Sequence, residues 1–259
     1  IFLIISVTPY TFLSFLFLLF MRKKVFLYLR SDGKKEISII LGKVFSIIYR
    51  LMEGFMIKFS NLIVVNNLIT KKSKFHLVNP SQIDSDWHEN TKVSQRSQIK
   101  LLYVGRLKIE KGVYSLIEIF KQIKSPDKEI FLTLIGEGKK PGEPNEKIRF
   151  LEPISIKTNL INQYDEHDIF ILPSYTEGYP QVVLESLIRK RPVIIFDEIK
   201  HVSKNFQGVF VTNRNPKDLL DTISFIDKNY NQILENMEKN KYPTKEDFFK
   251  QLNNILCQN

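Results

Sequence analysis

Residues 168–196 read DIFILPSYTEGYPQVVLESLIRKRPVIIF. DIFILPS (168–174) opens on an unbroken apolar run, as a strand buried on both faces does. Pro173–Pro180 hold two prolines and a glycine, which marks a loop. In QVVLESLIRK (181–190) the apolar residues recur at helical spacing, and PVIIF (192–196) is a second apolar run. Strand, loop, helix and strand in succession make a βαβ unit, whose two strands lie parallel.

The alternation continues on both sides. Upstream, IKLLYVGRL (99–107) reads as a strand and turn, VYSLIEIFKQIK (113–124) as a helix, and EIFLTLIGEG (129–138) as a strand entering a glycine loop. KIRFLEP (147–153) is a short strand and ISIKTNLINQY (154–164) a short helix. Downstream, GVFV (208–211) is a strand and NPKDLLDTISFID (215–227) a helix. The expected fold is α/β, with a parallel sheet covered on both faces. Residues 98–242 are expected to form one Rossmann-like domain, with 243–259 a terminal helix packing back toward the N-terminal part.

Residues 1–97 are expected to form a second, incomplete Rossmann-like domain. Residues 1–20, IFLIISVTPYTFLSFLFLLF, are nearly all apolar, and Arg22, Lys23 and Lys24 follow. Length and flanking charge admit a membrane span. The Thr8-Pro9-Tyr10-Thr11 interruption favours instead a buried strand, a turn, and a helix capped by Thr11 and running to about Arg22. KVFLYLR (24–30) is the next strand. Residues 35–60 are expected to form a long amphipathic helix decorated by Lys34, Lys35, Lys43, Arg50 and Lys58, which packs on a sheet or, alternatively, touches anionic lipid. NLIVVNN (61–67) and FHLVNP (75–80) are further strands, and polar, aperiodic 81–98 is a linker.

Charge is uneven. Residues 1–100 hold 15 Lys and Arg against 6 Asp and Glu, whereas residues 101–259 hold 23 against 22. A basic first part suits an anionic membrane surface or a phosphorylated substrate, and no nucleic-acid motif accompanies it. The one cysteine, Cys257, excludes a disulfide framework and a cysteine-based metal site. The first residue is Ile1 and no signal peptide is visible, so a chain lacking its start is the expectation.

In an open parallel sheet, ligands bind beyond the carboxyl ends of the strands. The residues there form a set. Gly105 and Arg106, then Lys111 and Gly112, follow the first strand of the 98–242 domain. A glycine admits close backbone approach, and the two cations suit a diphosphate; alone, this pattern reads as a solvated turn. Gly136 and Gly138 follow the next strand, and alone they read as a tight turn. The specific signal is Glu177-Gly178-Tyr179-Pro180 followed by a helix carrying Glu185. The loop lets Glu177 face a ligand, the turn exposes backbone N–H groups, the helix N-terminus favours phosphate, and Glu185 is near enough to accept hydrogen bonds from ribose hydroxyls.

VGRLKIEKG, IGEG and PSYTEGYPQVVLESLIRKRPVI resemble, in order and spacing, the C-terminal domain of retaining glycosyltransferases of family 4, which have the GT-B fold. Glu177 and Glu185 match the paired glutamates of that family. The resemblance implies that Arg106 and Lys111 bind the donor diphosphate and that Glu177 holds the sugar hydroxyls, aided by the backbone of Gly178, Tyr179 and Pro180. It implies further that Val182 and Val183 offer N–H groups to phosphate, that Glu185 binds the ribose, and that Ile154 beside Pro153 borders the base. Catalytic roles then fall to Glu177, Arg106 and Lys111.

The implied activity is transfer of a hexose, with retention, from a nucleotide-diphosphate sugar to a glycan or lipid-linked acceptor in cell-surface polysaccharide or glycolipid synthesis. No metal and no cofactor are expected, since no Asp-x-Asp motif occurs, and no nucleic-acid partner. The expected location is cytoplasmic, peripheral on the inner face of the plasma membrane. The family's N-terminal glycine-rich loop has no counterpart here, so little transferase activity is expected of this chain alone. Two alternatives remain open: a non-catalytic membrane-associated protein with a donor-type fold, and a sugar-nucleotide epimerase.

Overall fold

The computed structural model describes residues 1–70, 74–89 and 97–257. In chain order the elements are β1 (Phe2–Ile5), α1 (Pro9–Phe20), β2 (Val25–Leu29), α2 (Gly33–Leu41), α3 (Lys43–Phe59), β3 (Asn61–Val64) and β4 (His76–Leu77). Then follow β5 (Ile99–Val104), α4 (Val113–Phe120), β6 (Ile130–Ile135), β7 (Ile148–Leu151), α5 (Lys157–Glu166), β8 (Ile169–Leu172), α6 (Gln181–Ile188) and β9 (Val193–Phe196). The chain ends with β10 (Val209–Thr212), α7 (Pro216–Lys228), α8 (Tyr230–Met237) and α9 (Lys245–Cys257). Short 3-10 turns cover Ser85–His88, Ile109–Lys111 and Asp197–Asn205.

Two compact units divide these elements. One comprises Ile1–Gln82, Thr176–Tyr179 and Pro243–Asn259, the other Ile83–Tyr175 and Pro180–Tyr242.

The first unit is built on a parallel sheet ordered β1-β2-β3-β4. β2 is buried at all five positions, as a central strand with both faces covered must be. Phe15, Tyr49 and Met56 from the helices and Phe248 from α9 join its core. The apolar N-terminal segment is strand, turn and helix, and among the described residues no helix is long and apolar enough to cross a membrane. The cap of α1 is Thr8 rather than Thr11. Its hydroxyl accepts from the Thr11 N–H at 3.1 Å, and the Thr11 hydroxyl accepts from the Thr8 N–H at 2.8 Å. Thr11 therefore closes a capping box from the third helical position. The single helix expected over 35–60 is two helices. Gly42 has φ +87°, a left-handed value that only glycine adopts cheaply, and it ends α2 and starts α3.

The second unit has a parallel sheet ordered β10-β9-β8-β5-β6-β7. β8 and β9 are buried throughout. α8, absent from the sequence-based reading, follows α7 after Asn229 and buries Tyr230, Ile233 and Met237. Of the expected linker, residues 90–96 lie outside the described residues, and residues 83–89 fold onto this unit. Trp87 is buried edge-on to Tyr164, with ring centroids 5.8 Å apart, and Lys157 Nζ bonds Asp84 at 2.7 Å. An aperiodic polar stretch conceals this because its only large apolar anchors are Ile83 and Trp87.

Candidate active site

The order of the second sheet locates the site. From β5 the chain moves outward through β6 to β7, then returns to the other side of β5 for β8, β9 and β10. The strand order therefore reverses between β5 and β8, and the crevice beyond the carboxyl ends of those two strands is where such a sheet binds ligands. The loop after β5 carries Gly105, Arg106 and Lys111. The loop after β8 leads to α6.

These loops are held together by backbone. The Tyr175 N–H donates to the Glu110 carbonyl at 3.1 Å. Gly112, at φ +69°, passes so close to the Pro173 carbonyl that a Cβ there would lie 1.9 Å from its oxygen. The guanidinium of Arg214, just after β10, donates to the Pro173 carbonyl at 2.8 Å and the Ser115 hydroxyl at 2.7 Å. It also stacks on Tyr175 and Phe196, 4.2 and 4.3 Å from the ring centroids, and pairs with Glu198 at 2.8 Å. Arg214 is a brace that sequence reasoning missed, because nothing in NRNPKD separates it from an ordinary helix-leading loop.

The loops after β5 and β6 interlock in the same way. The Leu107 N–H donates to the Glu137 carbonyl at 2.7 Å. A Cβ on Gly136 would sit 1.8 Å from the Gly105 oxygen, so glycine there is a packing requirement. Arg106 stays about half exposed, and its Nη2 lies 3.7 Å from Glu110, whose side chain is buried. Lys111 is half-buried. The loop region thus presents two cations in a frame fixed by backbone, an arrangement suited to an anion.

α6 follows Pro180. Val182 is half-buried and Val183 buried, and the Val183 N–H donates to the Pro180 carbonyl at 3.2 Å. Glu185, half-buried on the second turn, accepts from the buried Tyr164 hydroxyl at 2.8 Å. Burial holds the Glu185 carboxyl above the usual carboxylate range, while the Tyr164 hydrogen bond pulls it down. Burial and the neighbouring Glu185 charge push the Tyr164 phenol well up, so Tyr164 is the donor of the pair.

The second unit therefore gathers Gly105, Arg106, Lys111, Gly136, Gly138, Pro180, Val182, Val183 and Glu185 on segments that follow its parallel strands. Ile154 follows β7, the edge strand, two places from β5, and is half-buried. Thr176–Tyr179 cluster with the first unit. There the Gly178 carbonyl accepts from Asn66 Nδ2 at 2.7 Å, and Tyr179 packs against the core, its phenol pushed up to about 12 by burial. Glu177 is half-buried. Among the described residues no group of three or more His, Cys, Asp or Glu is arranged to hold a metal ion. A cavity of about 710 Å³ opens at the opposite end of the second sheet, near Phe120, Lys124, Ile130 and Ile148; strand polarity sets it apart from the ligand end.

Residues 86–244 match the family described as Glycosyl transferases group 1, and the chain belongs to that family. Over 118 residues it is 32% identical to TuaC of Bacillus subtilis, whose name assigns it to teichuronic acid biosynthesis, covering 42% of this chain and 29% of TuaC. Over 134 residues it is 27% identical to the N,N'-diacetylbacillosaminyl-diphospho-undecaprenol alpha-1,3-N-acetylgalactosaminyltransferase of Campylobacter jejuni, covering 49% of this chain and 35% of that enzyme. The matched stretch thus spans about a third of these relatives' length. Among solved structures, Anabaena Alr3699/HepE in complex with UDP and glucose aligns with a TM-score of 0.73 at 14% identity, covering 99% of this chain and 78% of that one. The two parallel sheets are those of a GT-B fold.

Proposed function

We propose that the second unit binds the nucleotide-diphosphate sugar of a retaining glycosyltransferase that moves a hexose to a glycan or lipid-linked acceptor. What supports this reading is that Arg106 and Lys111 follow β5 while Glu185 stands on the helix after β8, the two strands between which the sheet order reverses. As the glycosidic bond to the donor breaks, negative charge grows on the diphosphate. Arg106, Lys111 and the N-terminus of α6 stabilise that charge without moving. Glu185 receives the ribose hydroxyls. The Campylobacter relative, named for a diphospho-undecaprenol acceptor, supports a lipid-linked acceptor.

Calorimetric titration with UDP-, GDP- and ADP-sugars tests the assignment. One donor is expected to bind, and Arg106→Ala and Glu185→Ala each to weaken it about tenfold or more. Unchanged affinity in both variants refutes the site.

The same proposal places the first unit on an anionic membrane surface. On α1, which has no charged residue, Tyr10, Leu13, Phe17 and Phe20 are exposed. On α3, Tyr49, Glu53 and Met56 face inward, while exposed Val44, Ile47, Ile48 and Leu51 stand among Lys43, Arg50 and Lys58. The outward side of α3 carries no acid, which suits an interfacial helix on anionic lipid. Sedimentation with phosphatidylcholine vesicles containing phosphatidylglycerol is expected to carry the chain down, and Leu51→Asp to reduce this several-fold. Equal binding to pure phosphatidylcholine contradicts the charge argument.

A further inference from the structure

The carboxylate proposed to take the ribose is held by a residue with no role assigned above. Tyr164 stands on α5, is 0% exposed, and packs between Trp87 and Phe170 at centroid distances of 5.8 and 5.7 Å. Its hydroxyl reaches Glu185 Oε2 on α6 at 2.8 Å. No other hydrogen bond to the Glu185 carboxylate occurs among the described residues, so Oε1 accepts from none of them.

The placement of Tyr164 is itself fixed. The next residue, Asp165, accepts two hydrogen bonds from the guanidinium of Arg189, at 2.9 and 2.6 Å. Arg191 donates to the carbonyls of Tyr164 and Asp165 at 2.9 and 3.0 Å. Arg189 Nη1 also bonds the carbonyls of Trp87 and Glu89, at 2.9 and 2.6 Å. All three charged side chains are at most 2% exposed. Fully satisfied buried ion networks of this kind hold a unique geometry rather than add much stability. This one clamps the C-terminal end of α5 to the far end of α6 and the segment entering β9, through Arg189 and Arg191, four and six residues beyond Glu185. The two helices cannot slide without breaking it, so the Tyr164 hydroxyl and the Glu185 carboxylate are presented to each other at a set distance.

We infer that Tyr164 is a positioning residue for nucleotide recognition: it fixes one oxygen of the Glu185 carboxylate and directs the other at a vicinal ribose diol. The inference rests on the donor-site reading above. A carboxylate pinned at one oxygen has lost its rotational freedom before the ligand arrives, and preorganisation of that kind is gained as affinity. It also links affinity to pH. Only the ionised carboxylate accepts from two hydroxyls at once, and burial already favours its protonated form. The titratable groups on elements packed against α6 are Asp86 and His88 on the 3-10 turn and, from α5, Lys157, Asp165 and Glu166; β8 and β9 carry none. Asp86 is engaged with Lys157, and Asp165 with Arg189. The Tyr164 hydroxyl is the contact that pulls the Glu185 carboxyl back down against the upward push of burial.

Two measurements on the full chain test this. The first needs no ligand: the Glu185 carboxyl is titrated by carbon-13 NMR in the wild type, in Tyr164→Phe and in Phe170→Leu. The midpoint is expected to rise in Tyr164→Phe and to stay in place in Phe170→Leu, which perturbs packing beside Tyr164 but keeps the hydroxyl. An unmoved midpoint in Tyr164→Phe, or an equal rise in both variants, overturns the inference. The second compares UDP with 2′,3′-dideoxyuridine diphosphate by calorimetry between pH 5 and 8. Tyr164→Phe is expected to weaken UDP about tenfold, more at the acid end, and to leave the dideoxy compound unchanged. Equal losses for both nucleotides overturn the ribose-directed role. If UDP binds neither protein, the donor-site reading fails for uridine, and the NMR titration still decides whether Tyr164 governs Glu185.

Discussion

Replacing Gly112 with alanine puts the tightest joint of the proposed site under load. Gly112 has φ +69° and ψ 9°, where an L-residue with a Cβ costs about 1–2 kcal/mol. The new methyl would lie 1.9 Å from the Pro173 oxygen and 2.8 Å from its carbon, about 1.5 Å short of ordinary contact. Neither neighbour is a flexible tip: one is the chain leaving β8, the other the start of α4. Relief by moving β8's exit strains the Arg214–Pro173 hydrogen bond (2.8 Å), and relief by moving α4 strains the Tyr175–Glu110 bond (3.1 Å). Overpacking against a framework of this stiffness costs a further 1–3 kcal/mol, roughly, so the variant is expected to lose about 3 kcal/mol, and the second unit to melt roughly 6–12 °C lower. Trp87, the single tryptophan and a buried residue of that unit, reports its unfolding in urea without interference from the first. Gly142→Ala is the control, since its Cβ would meet Ile117 and Lys121 only at 3.8 Å; it is expected to be near neutral. A Gly112→Ala protein within about 0.5 kcal/mol of the wild type would refute the reasoning, because it would mean that the two loops are not rigidly joined.

Two more outcomes follow from the buried charges. Asp165→Ala removes the carboxylate that faces both Arg189 and Arg191, and leaving buried guanidinium groups without it is expected to cost about 3–5 kcal/mol in the same urea experiment. Glu185→Gln is expected to trade function for stability. Burial raises the Glu185 carboxyl above its unfolded value, so ionisation opposes folding above that range, and wild-type stability is gained as pH falls through the folded pKa. The glutamine variant is expected to lack that part of the pH profile, to melt higher at neutral pH, and to bind nucleotide less tightly; a lower melting temperature would show that Glu185 is held by more than Tyr164.

The second sheet was legible because its strands are short apolar runs separated by glycine- and proline-marked loops, and the residues of VGRL, IGEG and PSYTEGYP stand directly after those strands. Periodicity failed where one backbone angle decides. Across residues 35–60 the apolar spacing continues through Gly42, and only its positive φ separates α2 from α3. The cap of α1 was misplaced by three residues in the pattern Thr-x-x-Thr, in which either threonine reads as a cap. The supports of the site were hidden for a different reason. Tyr164, Asp165, Arg189, Arg191 and Arg214 look like surface residues in sequence, yet four of them are buried and the fifth bridges three segments. Their role depends on partners 20 to 100 residues away, to which local pattern is blind.

In the proposed site, nucleotide binds the second unit at the β5–β8 switch point, by the loop carrying Arg106 and Lys111 and the helix carrying Glu185. Amide perturbation mapping by NMR, with UDP, GDP and ADP titrated into the isotope-labelled chain, tests it most directly. One nucleotide is expected to shift the amides of Gly105–Gly112 and Gln181–Glu185 first and most. Shifts centred instead on the cavity by Phe120, Lys124 and Ile148, or no saturable shift with any of the three, would contradict it.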